Sequence, residues 1–237
     1  MAEFLLIHGS CHGAWCWRDV LPFLHAAGHG ARAIDLPGHG ADDTPLDEVT
    51  LDGYARAIVG AITTPAIVVG HSMAGFPISL AADLAPDAIA KLVFLCAYVP
   101  ANGQSLADMR RAWPDQPLLP AIRMAEDKQS FSFAPEMLAD RFYHDCPPGT
   151  VEYARAHLTP QPVAPQATPL ALGPGYAAAE KHYIRCLEDR AIPPAYQVRM
   201  SADFPHGRVS TLTTSHSPFF AAPEALAARL IEIMGQP

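Results

Sequence analysis

Three stretches of this 237-residue chain combine residue types that could carry out nucleophilic chemistry. Val68-Val69-Gly70-His71-Ser72-Met73-Ala74-Gly75 passes from β-branched residues into a glycine, one serine and small residues suited to a helix. That is the pattern of a nucleophile elbow, a strained strand-to-helix turn that pushes a serine oxygen out above the end of a parallel sheet. The usual spacing is G-x-S-x-G. Here Ala74 stands at the second glycine and Gly75 follows at once, a small-residue variant that leaves Ser72 as the nucleophile. Near the C-terminus a strand-like run, Val209 to Thr213, leads into Thr214-Ser215-His216-Ser217-Pro218 and puts His216 on a loop past a strand. Between them Lys181 to Leu187 is strand-like and ends in Glu188-Asp189-Arg190-Ala191-Ile192-Pro193. An acid there completes the order serine, acid, histidine. Adjacent residues at a strand end point oppositely, so only one of Glu188 and Asp189 can face His216.

A fourth piece is the short apolar run Phe4-Leu5-Leu6-Ile7, which ends in His8-Gly9-Ser10. His8 and His12 have an i,i+4 spacing, but a strand end and loop is not a zincin helix, and the glutamate of that motif is missing. Both are expected to organise the loop by hydrogen bonds, and no metal is expected. Asp35, in Asp35-Leu36-Pro37-Gly38-His39-Gly40, is assigned to the turn after its strand.

The elements that must position these residues alternate. Strands are expected at Arg32 to Ile34, Ala66 to Gly70 and Ile89 to Leu95. Helices are expected at Ala14 to Ala27, Leu51 to Thr63 with Thr50 as N-cap, Ala74 to Ala85 and Pro223 to Met234. Strand-helix alternation means parallel strands with right-handed crossovers, whose sites lie at the C-terminal strand ends. From Tyr98 to about Tyr176 the pattern changes. This stretch holds half of the 24 prolines and the aromatics Trp113, Phe131, Phe133, Phe142 and Tyr143. Too apolar for a disordered linker, it is expected to form a cap with short helices at Pro135 to Tyr143 and Thr150 to Leu158.

The chain is long enough for one domain with a substantial core. Half of its residues are apolar, yet no run approaches the ~20 needed to span a bilayer. A formal charge of −8 disfavours nucleic acid and anionic membrane as partners. The five cysteines are odd in number and scattered, as expected of reduced thiols. No secretory n-region or h-region precedes the first strand, so a cytoplasmic location is expected if the sequence is complete; a monomer or homodimer acting on a small-molecule ester is expected.

Three blocks together, Leu6 to Trp17 with its His-Gly-x-Cys-His-Gly-Ala-Trp run, Gly70 to Gly75, and Cys186 to Pro193, resemble the plant methylesterase and hydroxynitrile lyase branch of the α/β-hydrolases, with its bacterial esterase relatives. The resemblance implies an α/β-hydrolase fold: a mostly parallel sheet flanked by helices, with a helical cap inserted after the sixth-strand region. Residues 1–97 and 177–237 would be the core and 98–176 the cap or lid. It implies Ser72 as nucleophile, His216 as base and Asp189 as the orienting acid, with the backbone N–H groups of Ser10 and Met73 as oxyanion hole and no cofactor. Gly9, Trp15, Phe76, Tyr98 and Trp113 are the candidate pocket residues, with core packing the alternative for Trp15 and Phe76, the cap aromatics the better candidates, and Trp17 packing in the core. Lyases of the branch carry a threonine where this chain has Gly9 and a lysine where it has Ser217. Without that positive charge to stabilise departing cyanide, hydrolysis of small-to-medium esters, methyl or aromatic among them, is favoured. Lactone, amide or pyrethroid-like ester hydrolysis on the same triad, or a receptor that keeps the fold, are the alternatives.

Overall fold

The computed structural model describes residues 2–236. In chain order its strands are β1 (Glu3–Ile7), β2 (Gly30–Ile34), β3 (Ala66–His71), β4 (Ile89–Leu95), β5 (Ile122–Met124), β6 (Ser130–Phe133), β7 (Gln161–Pro162), β8 (Lys181–Cys186) and β9 (Val209–Leu212). Six of them form one sheet in the order β2-β1-β3-β4-β8-β9, with every pairing parallel. The chain leaves β1 toward β2 on one side and returns to β3 on the other. The crevice of an open α/β sheet opens at such a reversal. Ile7 pairs with Gly70 across it, so the loops beginning at His8 and Ser72 start at the same level.

Alternation along the strands feeds two cores. Phe4, Leu6, Val69, Val93 and Leu95 face one side, and Leu5, Ile7, Val68, Leu92 and Phe94 face the other. Helices α1 (Leu21–Ala26) and α11 (Pro223–Gly235) cover the first face through Leu24, Leu226, Leu230 and Ile233. Helices α2 (Leu51–Ala61) and α3 (Gly75–Leu84) cover the second through Tyr54, Ile58, Phe76 and Ile78. Thr50 caps α2, its Oγ1 accepting from Gly53 N–H at 2.9 Å.

The helix expected over Ala14 to Ala27 is instead a 3-10 turn at Ala14–Trp17 followed by α1. Pro22 is the reason: it has no N–H to give an interior turn and is tolerated only at a helix start. The remaining helices are α4 (Leu106–Ala112), α5 (Leu138–Phe142), α6 (Thr150–His157), α7 (Ala164–Ala167), α8 (Pro174–Ala178), α9 (Pro194–Met200) and α10 (Pro218–Ala221).

The insertion leaves the sheet after β4 and rejoins it at β8. Counted along this chain it therefore follows the fourth strand of a six-stranded sheet, not a sixth. It holds the antiparallel sheet β5-β6-β7 as well as short helices. Those strands are two to four residues long, too short for a period-2 pattern to mark them in the sequence. Phe131, Phe133, Phe142 and Tyr143 of the insertion belong to the first core, and Leu106, Met109 and Tyr176 to the second.

Candidate active site

Ser72 follows β3 with φ 56, a left-handed backbone rare for a residue with a side chain and typical of strained turns at functional sites. The chain beyond β4 straps this turn: Tyr98 N–H donates to Ser72 O at 3.0 Å, and a Cβ on Gly75 would overlap the Tyr98 carbonyl. The close approach thus falls at Gly75, while Ala74 is buried without conflict, which explains the departure from G-x-S-x-G. Gly9 presses from the other side. A Cβ there would lie 2.9 Å from Ser72 Cβ and 2.7 Å from His71 Nδ1.

His216 and Asp189 arrive on the loops after β9 and β8. His216 Nδ1–H donates to Asp189 Oδ2 at 2.6 Å, with both side chains buried. Glu188 is exposed and faces away. Asp189 is held from four directions: Oδ1 accepts the N–H of Ala191 at 2.7 Å and of Ile192 at 2.8 Å, and Oδ2 accepts from Gln197 Nε2 at 2.9 Å besides His216. Gln197, buried on α9, also accepts from Cys186 N–H at 2.9 Å and so locks the acid loop to the end of β8. The carbonyl of His216 accepts from His71 Nε2 at 2.8 Å.

Ser10 and Met73 line the same cavity as Ser72, and neither N–H meets an acceptor among the described residues. Two histidines shape the loop that carries Ser10. His8 donates from Nδ1 to Gly9 O at 2.9 Å and accepts Leu36 N–H on Nε2 at 3.1 Å. His12 donates from Nδ1 to Ser10 O at 2.8 Å and accepts from the Tyr143 hydroxyl at 2.7 Å. Burial pushes His8 down to about 4 and His12 down to about 3, so both are neutral near pH 7 and each keeps one donor and one acceptor nitrogen. Asp35 ties two turns together, accepting from Ala14 N–H at 2.6 Å and Ala41 N–H at 3.0 Å.

His71, Cys96 and His216 bring three possible metal-ligand atoms within 4.8 Å of one another. The donor chemistry fits a metal poorly. A metal needs a thiolate, and burial holds the Cys96 thiol well above its ordinary pKa, while His216 is already bound to Asp189 and His71 to a carbonyl.

A cavity of about 30 Å3, room for about two water molecules, lies over Ser72. Its wall includes Ser10, His12, Ser72, Met73, Tyr98 and His216, and the insertion supplies Leu106, Arg110, Leu118, Phe131, Phe133, Phe142 and Gln166. Of the expected pocket residues, Tyr98 lines it. Gly9 backs Ser72 from behind. Trp15 stacks on His12 at 5.2 Å and on Phe220 at 6.2 Å, and Phe76 is core. Trp113 stacks on Tyr196 at 4.5 Å and lines an adjoining cavity. Trp17 is buried as expected. Arg110, Gln166 and Gln197 carried no sequence signal: each is an isolated polar residue in a stretch without a motif.

The sequence pattern of the alpha/beta hydrolase family matches residues 4–229. Methylesterase 7 of Arabidopsis thaliana is 34% identical over 98% of this chain and 95% of its own length, and Methylesterase 4 of the same plant is 33% identical over 98% and 95%. Among solved structures, a pyrethroid hydrolase from Sphingobium faniae JZ-2 superposes with a TM-score of 0.86 at 28% identity, covering 100% of this chain and 98% of that one.

Proposed function

This chain belongs to the alpha/beta hydrolase family and is a carboxylic ester hydrolase, and from that premise we propose that Ser72, His216 and Asp189 carry the reaction through an acyl-enzyme. His216 takes the Ser72 proton as the oxygen attacks the ester carbonyl. Asp189 holds the imidazole in the tautomer that leaves Nε2 free and stabilises its charged form. The N–H groups of Ser10 and Met73 receive the oxyanion, one such donor being worth roughly 10²–10³ in rate. The alcohol leaves with the proton from His216, and a water activated by the same imidazole releases the acid. What carries the reading is the 2.6 Å bond between buried Asp189 and buried His216, with His216 and strained Ser72 lining one cavity.

The substrate class is small-to-medium carboxylic esters, methyl or aromatic esters among them. Phe131, Phe133 and Phe142 favour a flat or apolar acyl group, and the relatives named methylesterases favour a methyl alcohol part. Likeness to a pyrethroid hydrolase supports bulkier esters as a second reading, but the narrow cavity then requires movement of residues 98–176, which we assign as the cap. Cyanohydrin cleavage is disfavoured: residue 9 has no room for a threonine, and Ser217 is buried away from the cavity. Five cysteines with no bridge among the described residues fit a reducing, cytoplasmic setting.

A fluorophosphonate tests the nucleophile. It should add once per chain, at Ser72, and Ser72→Ala should abolish both labelling and hydrolysis of p-nitrophenyl and methyl esters. Peptide mass mapping that finds the label elsewhere on an active enzyme removes Ser72 from the reaction.

A further inference from the structure

Arg110 is the one side chain shared by three adjoining cavities: the one over Ser72, a cleft toward Trp113 and Tyr196, and a cleft beside Ile122 and Val163. It lies one turn after Leu106 on α4, so the two share a face and both line the cavity over Ser72. Its neighbour Arg111 points outward and pairs with Asp108 at 2.7 Å. Among the described residues Arg110 has no ion pair and no hydrogen-bond partner. Its Nε is buried without an acceptor, and no carboxylate or carbonyl among the described residues accepts from its terminal nitrogens. Arg32, Arg141 and Arg229 also have a buried, unmatched Nε, but each binds a carboxylate through a terminal nitrogen, to Glu3, Asp140 and Glu232. The one acid among the residues lining these three cavities, Asp115, lines the cleft toward Trp113 and forms no ion pair with Arg110 among the described residues. No Asp or Glu lines the cavity over Ser72. Partial burial lowers the pKa of Arg110.

An unpaired, half-buried guanidinium costs stability unless something anionic meets it. A planar fork of donors at the mouth of a cavity suits a carboxylate. We infer that Arg110 is a substrate-binding residue and that the preferred esters carry a second, free carboxylate that it holds, as in the monoalkyl esters of dicarboxylic acids. Water cleaves the one ester bond; the alcohol leaves and a dicarboxylate remains. This assignment rests on the esterase reading above.

Hydrolysis of monomethyl succinate, glutarate and adipate, each against its dimethyl ester, tests it. At one chain length the half-ester should exceed the dimethyl ester in kcat/KM by about tenfold or more. Arg110→Met should lower that ratio by about 10- to 100-fold, mainly through KM, while Arg110→Lys keeps part of it. Calorimetry with the Ser72→Ala variant adds a readout independent of turnover: monomethyl glutarate should bind, and binding should be lost when Arg110→Met is added. Dimethyl esters hydrolysed without preference for the half-esters, or a ratio untouched by Arg110→Met, overturns the role of Arg110 and leaves the esterase reading standing. Half-ester binding that depends on Arg110, with no ester cleaved, upholds the anion site and removes the esterase reading. Neither cleavage nor binding that depends on Arg110 removes both.

Discussion

Asp189 and Glu188 are neighbours with opposite surroundings: one buried and accepting four hydrogen bonds, the other exposed. If Asp189 holds the tautomer of His216, Asp189→Asn presents an amide N–H where an acceptor is needed and should lower kcat by roughly 10³–10⁴ with the fold kept. Glu188→Gln should change kcat by less than about twofold, since surface substitutions away from such features do little. Steady-state kinetics on p-nitrophenyl acetate decides between them, and a larger effect at 188 would move the acid by one position. Gly9 gives a second test. A Cβ there would sit 2.9 Å from Ser72 Cβ, closer than such atoms pack, so Gly9→Ala must displace the serine or the loop. Displacements of about 1 Å cost on the order of 10²-fold in rate. A Gly9→Ala enzyme with wild-type kcat would show that the loop yields freely.

Elements distant in the chain hold the two halves of the site. Residues 142–145 grip the loops that carry His216 and Asp189: Asp145 Oδ2 accepts Ser215 N–H at 2.7 Å and Ser215 Oγ donates to Phe142 O at 3.1 Å on the histidine loop, and His144 Nε2 donates to Glu188 O at 3.0 Å on the acid loop. Residues 159–166 grip the other side. Thr159 N–H donates to Cys11 O at 3.0 Å, and Gln166 Nε2 donates to Ser10 Oγ at 2.8 Å. Residues between β4 and β8 therefore hold the loops of Ser10 and Ser215 as well as lining the cavity over Ser72. Asp145→Ala removes the acceptor from Ser215 N–H next to His216, and kcat should fall by about tenfold with little change in KM, because the loss is in positioning. An unchanged kcat would mean that the Ser215–Phe142 bond holds the histidine loop unaided.

Across the whole molecule, His8, His12, His39 and His71 are buried, and desolvation, the largest cause in each case, lowers their pKa values. The unfolded chain takes up protons on these rings as pH falls below about 6.5, whereas the folded protein does not until about 4 at His8 and about 3 at His12. Their contribution to stability is complete above pH 6.5 and is lost progressively as pH falls from there toward those values. The melting temperature should drop steadily between pH 7 and 4.5. His39→Gln, which can keep the bonds to Thr159 at 3.0 Å and Tyr54 at 2.9 Å, should flatten that slope; a wild-type melting temperature independent of pH over that range removes the argument. The same split between local and distant causes separates what the sequence determined from what it did not. The strands of the main sheet, the elbow at Ser72 and the loop of His216 were legible because apolar alternation, glycine and proline punctuation and small residues around one serine are local signals. The choice of Asp189 over Glu188 rested on resemblance until the fold brought His216, 27 positions further on, against one of them. The cavity wall was decided only by tertiary structure. Arg110, Gln166 and the insertion phenylalanines lie on short, irregular elements without periodicity, and their direction is set by contacts with residues far away in the chain, such as Gln166 with Ser10 across 156 positions.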